Sequence, residues 1–562
     1  RRLSILDLSP RGAQPMESRS GRYVISYNGE IYNYIEIRAE LEQLNWCFRS
    51  DTDTEVILTA YEQWGEQCVH RFNGMWAFAI YDRDQRILFC SRDRFGVKPF
   101  YFVDNSDLFA FGSEIKQLLP LMAERRANVA MLKDFLLTSI TEHTEATFFV
   151  GIKKLLPAHN LIYVVETGEC RIYRYYQIGR QAIDKNETED EIKRQYKDIL
   201  ESSIALRLRS DVRVGTCLSG GLDSSTIATL AATMYAQSSV EPFSAITAVS
   251  SQHSNDESGY ASEIVKNSSL RWFQVRPTYQ DFVGSLSDVT YYQEEPYGSP
   301  SIIMQYFVMK TAKESHVTVL LDGQGGDETL LGYEKYYVAH IIEQFRHHGI
   351  WGVVRGIVQA GRNNAKMRPR KMAMYLVAGS KASLRYAYYR FRHRYLRNAP
   401  RIPEHLVAYS KANLDIYELQ VLENTRTNLP VLLRYEDKNS MACSIETRLP
   451  FLDYRLVEYA LSMPGRMKIR EGWTKWVLRS MMEGQMPDSI VWRKNKYGFE
   501  APENEWLKHH ETEMNRMILG SCILGQLCSM KKLNKMLGRM DLRSRWRLYS
   551  ISLWEERYKV TI

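Results

Sequence analysis

The stretch Cys217-Leu218-Ser219-Gly220-Gly221-Leu222-Asp223-Ser224-Ser225 decides the fold of the longer part of this chain. It follows a β-like run at residues 212–216 and precedes a helix-like run at residues 224–235. A strand, a Gly-Gly turn and a helix N-terminus together present backbone N–H groups and a positive dipole end to an anion. The glycines let a phosphate approach the main chain, and the serine hydroxyls add donors. The stretch therefore predicts a phosphate-binding loop.

This loop differs from the Walker pattern G-x-x-x-x-G-K-S/T, because no lysine follows its glycines. Asp223 is present instead, and a carboxylate at this position would repel a phosphate. The repulsion disappears if Asp223 holds Mg²⁺ against the phosphate oxygens, since carboxylate oxygens are ligands that Mg²⁺ prefers. We therefore predict that Asp223 binds a magnesium ion.

A second acidic loop has the same arrangement. Val317-Thr318-Val319-Leu320-Leu321 predicts a buried strand, and Asp322-Gly323-Gln324-Gly325-Gly326-Asp327-Glu328 follows it. Open α/β sheets bind ligands at the carboxyl ends of their strands. Asp327 is therefore predicted to share the metal ion with Asp223. Taken alone, this loop has a solvated turn as its alternative interpretation.

Two later segments complete a set of four: Ser440-Met441-Ala442-Cys443-Ser444-Ile445-Glu446-Thr447-Arg448-Leu449-Pro450-Phe451-Leu452-Asp453 and Trp492-Arg493-Lys494-Asn495-Lys496-Tyr497-Gly498-Phe499. In this order the four segments resemble the synthetase half of the glutamine-dependent asparagine synthetase family. Five earlier segments resemble that family's glutaminase domain: Arg2-Leu3-Ser4-Ile5-Leu6-Asp7, Asn28-Gly29-Glu30-Ile31-Tyr32-Asn33, Asp53-Thr54-Glu55-Val56, Asn73-Gly74-Met75-Trp76-Ala77-Phe78 and Arg92-Asp93-Arg94-Phe95-Gly96. The resemblance covers nearly the whole chain.

The resemblance implies an α/β and α+β protein. Its N-terminal part would be a four-layer αββα glutaminase-like domain, followed by a doubly wound α/β ATP-pyrophosphatase-type synthetase domain with a helical C-terminal part. Short alternating strands in the first part and strands alternating with longer helical runs in the second agree with this layout. We place the class II glutamine amidotransferase domain at residues 1–176, a polar linker at 177–190 and the synthetase domain at 191–562.

The resemblance also implies a reaction. An asparagine synthetase converts the aspartate side-chain carboxylate to an acyl-AMP, releases pyrophosphate and amidates the acyl group, with ATP and Mg²⁺ as cofactors and glutamine or ammonia as nitrogen donor. Lys496 is implied to reach the α-phosphate, with Arg493 and Lys494 as nearby alternatives. ATP and pyrophosphate are assigned to Cys217, Ser219, Gly220, Gly221, Leu222, Asp223, Ser224, Asp322 and Gly323.

Glutamine is assigned by the same resemblance to five residues of the first domain. Arg2 would bind the α-carboxylate of glutamine, and Asp53 and Glu30 would lie near its α-amino group. Asn28, together with the Gly29 amide, would supply the donors of an oxyanion hole. The resemblance leaves open whether the protein forms a homodimer.

Gln324 departs from the family pattern. The family commonly has a glutamate there, credited with deprotonating the attacking amine, and a glutamine cannot accept that proton. We assign the catalytic roles to Lys496, Glu446 and Gln324. Glu328 or Glu446 would accept the proton in place of the family's glutamate, unless ammonia needs only to be oriented. The departure leaves the acceptor carboxylate open. Aspartate is the first hypothesis, a sugar uronate or a peptide or β-lactam ring closure the second, and a non-catalytic scaffold the third.

The nucleophile of the glutaminase is a separate question. In the family, an N-terminal cysteine supplies the thiolate and its own α-amino group is the base. This sequence begins at Arg1, and its first cysteine is Cys47. We expect it to be a fragment that by itself uses only ammonia, because the glutamine-binding residues persist. Loss of glutaminase activity in the whole protein is the alternative.

The composition is that of an ordinary globular chain: 44% of its 562 residues are hydrophobic and 25% are charged. No apolar run reaches the roughly 20 residues of a transmembrane helix. Eight scattered cysteines without a C-x-x-C pair predict reduced thiols and a cytoplasmic protein. The net charge of +8 comes largely from a basic, tyrosine-rich stretch at residues 339–407. We interpret this stretch as an exposed helix face rather than a nucleic-acid or membrane surface.

Overall fold

A computed structural model of the protein describes residues 3–181, 183, 187–237, 239–250, 256–364, 375, 381–398, 401–494 and 503–562. Within these ranges the strands form four sheets. Two sheets belong to the first part of the chain, one parallel sheet organises the second part, and the fourth is a short hairpin.

The first part of the chain alternates short strands with a few helices. Its strands are β1 (Met16–Glu17), β2 (Tyr23–Ile31), β3 (Gly74–Asp82), β4 (Ile87–Arg92), β5 (Tyr101–Asp104), β6 (Phe109–Gly112), β7 (Lys153–Lys154), β8 (His159–Val164) and β9 (Cys170–Arg174). Its α-helices are α1 (Tyr34–Gln43), α2 (Asp53–Trp64), α3 (Ile115–Leu118) and α4 (Val129–Thr138).

These elements stack in four layers. The larger sheet is antiparallel, in the order β1-β2-β3-β4-β8-β9, and the smaller one has the order β6-β5-β7. One face of the larger sheet packs on α1 and α2 through Ile57, Trp76 and Phe89. Its other face packs on the smaller sheet through Ala79 and Phe102, and α3 and α4 cover the far side of the smaller sheet. The predicted αββα architecture is confirmed.

The second part of the chain is richer in helix. Its strands are β10 (Val214–Cys217), β11 (Ser244–Ala248), β12 (Arg271–Val275), β13 (Val319–Leu321), β14 (Glu446–Arg448), β15 (Ile469–Arg470) and β16 (Trp473–Thr474). Its first helices are α5 (Glu189–Arg207), α6 (Leu222–Tyr235), α7 (Ser258–Asn267), α8 (Tyr279–Gln293), α9 (Ser301–Glu314), α10 (Gly326–Thr329), α11 (Tyr337–Asn363), α12 (Ala382–Arg392), α13 (Glu404–Ala412) and α14 (Ile416–Leu422).

The remaining helices complete the second domain and its helical C-terminal part. They are α15 (Leu429–Ala442), α16 (Tyr454–Ser462), α17 (Gly465–Lys468), α18 (Trp476–Met482), α19 (Asp488–Val491), α20 (Glu503–His509), α21 (Glu511–Gly520), α22 (Cys522–Leu527), α23 (Met530–Leu537) and α24 (Leu542–Tyr558). The last helix is anchored in the core by Trp546 and Trp554, and Trp554 also contacts Phe148 of the first domain.

Five strands of the second part form one parallel sheet in the order β12-β11-β10-β13-β14. The three residues of β13 are fully buried, as expected where helices cover both faces of a sheet. Thr216 of β10 lies opposite Leu321 of β13, so the loops after these strands begin side by side. The doubly wound α/β prediction is confirmed, and the two loops singled out in the sequence share one edge of the sheet.

Buried ion pairs and hydrogen bonds join the two domains. Lys98 of the first domain pairs with Asp437 of the second at 3.1 Å, and both side chains are almost fully buried. Glu294 of the second domain accepts hydrogen bonds from the backbone N–H groups of Ile115 and Lys116 at 3.0 and 2.8 Å. Losing one partner of such a pair would leave an uncompensated buried charge. The relative position of the domains is therefore closely specified.

The surface of the second domain includes α12, which carries part of the basic, tyrosine-rich stretch. None of its described side chains is buried, as predicted for an exposed helix face. Across the portion of the chain that the structure covers, we find no helix with the length and apolar character that spanning a bilayer requires.

Candidate active site

The loop between β10 and α6 is shaped by its glycines. Gly220 has a φ of +72°, and a Cβ there would come within 2.8 Å of the backbone nitrogen of Ala261, so only glycine fits without strain. The hydroxyls of Ser219 and Ser224 lie 3.0 Å apart and face each other across the turn. Gly221 caps α6 and has no side chain to occupy the helix N-terminus. Amide and hydroxyl donors therefore converge where an anion would bind.

The second loop packs directly onto the first. A Cβ at Gly326 would lie 2.9 Å from the carboxyl carbon of Asp223, and one at Gly323 would lie 3.1 Å from the Asp223 Cβ. Gly325 has a φ of +90°, which turns the chain into α10. Small residues at these positions let the carboxylates of Asp223 and Asp327 approach each other, as the sequence pattern predicted.

Lys475 is held between these two carboxylates, and the sequence analysis missed it. Its Nζ lies 2.6 Å from Asp327 Oδ1 and also contacts Asp223 Oδ2. The lysine follows the β15–β16 hairpin and has a left-handed backbone conformation, with a φ of +56°, just before α18. Only 4% of its side chain is exposed, so the ammonium acts within a low-dielectric site. A lysine at a helix start, next to an apolar run, was the available sequence signal.

The two carboxylates also fit a magnesium ion. Each offers oxygen ligands, which Mg²⁺ prefers, and both reach one point, since the Lys475 ammonium contacts both. The ammonium is thus a stand-in that marks where a cation is stabilised. Asp223 and Asp327 are the residues that would hold Mg²⁺, which would supply neutralisation of phosphate charge.

A cavity of about 330 Å³ opens between the two loops. A second cavity, of about 480 Å³, adjoins it, since Asp327 and Tyr333 line both, and Leu222 and Lys475 line the second. Gly220 lies in the turn itself. The first cavity brings together these residues singled out in the sequence: Cys217, Ser219, Gly221, Asp223, Ser224, Asp322, Gly323, Gln324 and Asp327.

The fourth sequence segment reaches this site through Arg493. Its guanidinium donates to the Gly220 carbonyl at 3.4 Å, pairs with Glu257 and lies over the ring of Tyr260 at 3.8 Å. Lys494 lines the larger of the two cavities. Lys496 lies outside the described residues, so its predicted role remains a prediction.

The smaller cavity is lined by Asp322, whose carboxyl group neighbours that of the buried Glu436. Burial and the neighbouring Asp322 carboxyl raise the pKa of Glu436, on α15, well above its usual range. Burial also raises the pKa of Asp322, whose carboxyl group is next to that of Glu436. The same surroundings, burial first and the Asp322 charge second, raise the pKa of the Cys217 thiol. Cys217 is therefore a neutral thiol at neutral pH, and the surroundings of Glu436 favour its protonated form.

Glu328 is a buried carboxyl group next to Asp327. Its Oε1 accepts hydrogen bonds from the Tyr333 hydroxyl at 3.0 Å and the Asn428 amide at 2.6 Å. Burial, with a further contribution from the Asp327 charge, raises the pKa of Glu328 to about 7. Tyr333 lines both cavities and its hydroxyl donates to Glu328, so this residue lies between Glu328 and the cavity that Gln324 lines. A group with this pKa suits proton transfer at neutral pH.

Four of the five residues that the sequence assigns to glutamine line a cavity of about 980 Å³ at the domain boundary. Asn28, Gly29 and Glu30 lie on β2, and Asp53 begins α2. The Asp53 carboxylate accepts hydrogen bonds from the Tyr27 hydroxyl at 2.7 Å and the Ile31 N–H at 2.9 Å. Burial raises the pKa of Asp53 despite these bonds. Arg2 lies outside the described residues.

Glu446 lines this cavity at the domain boundary and not the smaller cavity between the two loops. It begins β14, at the end of the sheet opposite to the two loops, and pairs with Arg448 at 2.8 Å. Arg448 in turn lies 3.4 Å from Glu30 of the first domain. The structure therefore does not bring Glu446 together with Gln324.

An αββα domain with a cavity at the domain boundary, joined to an α/β domain with a glycine-rich loop at the carboxyl end of a parallel strand, is the layout of an amidotransferase coupled to an ATP-using synthetase. Comparison with known families agrees. The model of the asparagine synthase family matches residues 195–556, and that of the glutamine amidotransferase domain matches residues 1–176. The chain belongs to the asparagine synthase family.

Several curated relatives are similar along most of the chain. Asparagine synthetase (glutamine-hydrolyzing) 1 of Bacillus subtilis (strain 168) is 30% identical over 541 residues, which cover 92% of this chain and 82% of the relative. Asparagine synthetase (glutamine-hydrolyzing) 3 of the same organism is 30% identical over 514 residues, covering 88% and 78%. Putative asparagine synthetase (glutamine-hydrolyzing) 2 of Methanocaldococcus jannaschii is 35% identical over 352 residues, covering 59% and 66%.

Proposed function

We propose that the protein is an asparagine synthetase that activates the side-chain carboxylate of aspartate with ATP and amidates it with ammonia derived from glutamine. The observation that carries the proposal is the cluster of Asp223, Asp327 and Lys475 beside the cavity that Gln324 faces. Two carboxylates and an ammonium at the edge of a phosphate-binding loop suit a triphosphate that must lose pyrophosphate. The similarity to glutamine-hydrolyzing asparagine synthetases supports this chemistry.

Adenylation requires charge neutralisation and exclusion of water. The aspartate carboxylate attacks the α-phosphorus, the bond from that phosphorus to the bridging oxygen breaks, and pyrophosphate leaves. Ser219, Ser224 and the first turn of α6 would donate hydrogen bonds to the phosphates, and Lys475 would stabilise the charge that develops during transfer. The buried setting strengthens each of these contacts.

The nitrogen source is proposed to be glutamine bound in the cavity at the domain boundary. Asn28 and the Gly29 amide would donate hydrogen bonds to the side-chain amide oxygen of the bound glutamine, and Glu30 and Asp53 would hold its α-amino group. Asp437, Lys438 and Glu446 of the second domain also line this cavity. Ammonia released there would already border the domain that uses it.

The attacking ammonia must lose a proton, and Gln324 cannot take it. We propose Glu328 as the acceptor, acting through the Tyr333 hydroxyl, which donates to Glu328 and lines the cavity. A raised pKa near 7 leaves about half of the Glu328 population able to accept a proton at neutral pH.

The acceptor carboxylate can be tested directly. With ammonium as nitrogen source, we expect AMP and pyrophosphate to form in equal amounts only when aspartate is present, together with asparagine. A heavy-oxygen label in the aspartate side-chain carboxylate should appear in AMP, because that oxygen bridges to the α-phosphate. Glutamate and a sugar uronate serve as matched acceptors. If AMP forms with the uronate and not with aspartate, the proposed adenylation step stands but the proposed substrate is wrong.

The proton acceptor gives a second prediction. Turnover of the unaltered enzyme should rise as the pH increases through about 7, because Glu328 accepts a proton only when ionised. Glu328→Gln should lower kcat by about a hundredfold and remove this rise. Tyr333→Phe should also lower kcat, because it removes the hydroxyl that donates to Glu328 but leaves Glu328 in place. Tyr388→Phe, on the exposed α12, is the control and should leave kcat unchanged.

Adding Gln324→Glu to Glu328→Gln tests the location of the proton transfer. The new carboxylate lies in the cavity itself, so turnover should partly recover if aspartate is the acceptor. A larger anionic acceptor should instead be disfavoured by the additional charge. An unchanged pH profile in Glu328→Gln would show that another group accepts the proton.

A further inference from the structure

A cluster of two histidines and an aspartate lies between the two domains, apart from the three cavities described above. Asp134 is on α4, His143 is in the loop that follows it, and His405 is on α13. One ligand atom from each lies within 4.8 Å of the other two. The first two residues belong to the first domain and the third to the second domain.

The imidazoles in this cluster have buried nitrogen atoms that the protein does not satisfy. His143 Nε2 lies 3.0 Å from Asp134 Oδ2, but His143 Nδ1 and His405 Nε2 are buried without a hydrogen-bond partner among the described residues. The side chain of His143 is 9% exposed. Burying a polar atom without a partner is unfavourable, so a partner outside the protein would account for both orphaned nitrogens.

The imidazole of His405 is in its neutral form, which leaves a ring nitrogen lone pair free to bind a metal. The two rings meet edge to face with centroids 4.9 Å apart. Burial and the neighbouring His143 and Arg385 together lower the pKa of His405 to about 4. The Asp134 carboxylate acts in the opposite direction. His405 is therefore a neutral imidazole at physiological pH, which is the form that binds metals.

We propose that Asp134, His143 and His405 bind a divalent transition-metal ion of the zinc type, which clamps α4 of the first domain to α13 of the second. Two imidazoles and one carboxylate are a donor set that Zn²⁺ accepts, with water as a fourth ligand. The carboxylate would offset part of the ion's charge. Because the ligands come from both domains, the ion would act on domain association and not on the chemistry of either site.

Metal binding to the whole protein tests this proposal. After removal of bound metals with a chelator, the unaltered protein should bind one equivalent of Zn²⁺ in competition with a chromophoric chelator, and Zn²⁺ should raise its melting temperature. His405→Gln should lower the affinity by more than about a hundredfold, since even outer partners of a metal ligand contribute 10–100-fold. His70→Gln, which alters an exposed histidine of the first domain, should leave binding unchanged.

Co²⁺ provides a measurement that does not depend on a variant folding. Co²⁺ bound to the unaltered protein should give the intense visible absorption of a four-coordinate site, and Zn²⁺ should displace it. Asp134→Asn, a second variant that retains the size of the side chain, should also fail to bind the one equivalent of Zn²⁺. If the unaltered protein binds no Zn²⁺, or if both variants still bind it as tightly, the site does not exist and the cluster is a hydrogen-bonded His–Asp pair only.

Discussion

Asp223→Asn and Asp327→Asn are each expected to reduce aspartate-dependent release of pyrophosphate by about a hundredfold or more. Each substitution preserves the size of the side chain but removes one of the two negative charges that meet at the Lys475 ammonium. It also removes an oxygen ligand from the point where Mg²⁺ would bind. Phosphate charge is then less well neutralised when pyrophosphate leaves. Pyrophosphate and AMP should be measured with ammonium as nitrogen source.

The two variants should remain folded, because Lys475 keeps its other carboxylate partner in each. Thermal unfolding would verify this, and Asp288→Asn, which changes an exposed carboxylate on α8, is the matched control. The Mg²⁺ concentration needed for half-maximal rate should rise in both active-site variants and stay constant in the control. Turnover near that of the unaltered enzyme in either variant would mean that the metal site lies elsewhere.

The positions of the glycine-rich loop after β10 and of its acidic neighbour could be predicted because their signals are local. A buried strand followed by glycines and a carboxylate specifies a turn at the carboxyl end of that strand. The pairing of β10 with β13 then brings the two loops together, with Thr216 opposite Leu321. Once two parallel strands are neighbours, the proximity of Asp223 and Asp327 follows from sheet geometry.

The third member of this cluster could not be predicted in the same way. Lys475 lies 252 positions after Asp223, and a single lysine has no local pattern that distinguishes a buried ion pair from an exposed side chain. Its role depends on how α18 packs against the loops. The raised pKa of Glu328 likewise depends on tertiary burial, which a carboxylate in a Gly-Gly-Asp-Glu sequence does not reveal.

Glu446 shows what strand geometry adds to a sequence motif. Side chains two residues apart in a strand lie on the same face, so Glu446 and Arg448 pair at 2.8 Å. The parallel register places Glu446 opposite Val319, at the beginning of β13, whereas Gln324 follows the end of that strand. The sequence motif suggested that Glu446 is a base near the activated acyl group. The strand register instead places its carboxylate at the cavity at the domain boundary.

Lys475→Met is expected to have two separate effects. Turnover should fall by about a hundredfold or more, because the ammonium no longer stabilises charge developing on the α-phosphate. The folded protein should also lose about 3–5 kcal/mol of stability, since Asp223 and Asp327 remain as neighbouring buried charges without their cation. Thermal unfolding without ATP measures the second effect independently of activity.

Magnesium distinguishes this explanation from a general loss of packing. In the unaltered protein the ammonium competes with Mg²⁺ for the carboxylates, whereas in Lys475→Met it does not. Mg²⁺ should therefore raise the melting temperature of the variant more than that of the unaltered protein, without restoring turnover. Lys475→Arg should retain most of the stability, because it retains the charge. Lys313→Met, on the exposed side of α9, should change neither property. An identical Mg²⁺ response in Lys475→Met and the unaltered protein would show that the ammonium does not occupy the position at which the metal binds.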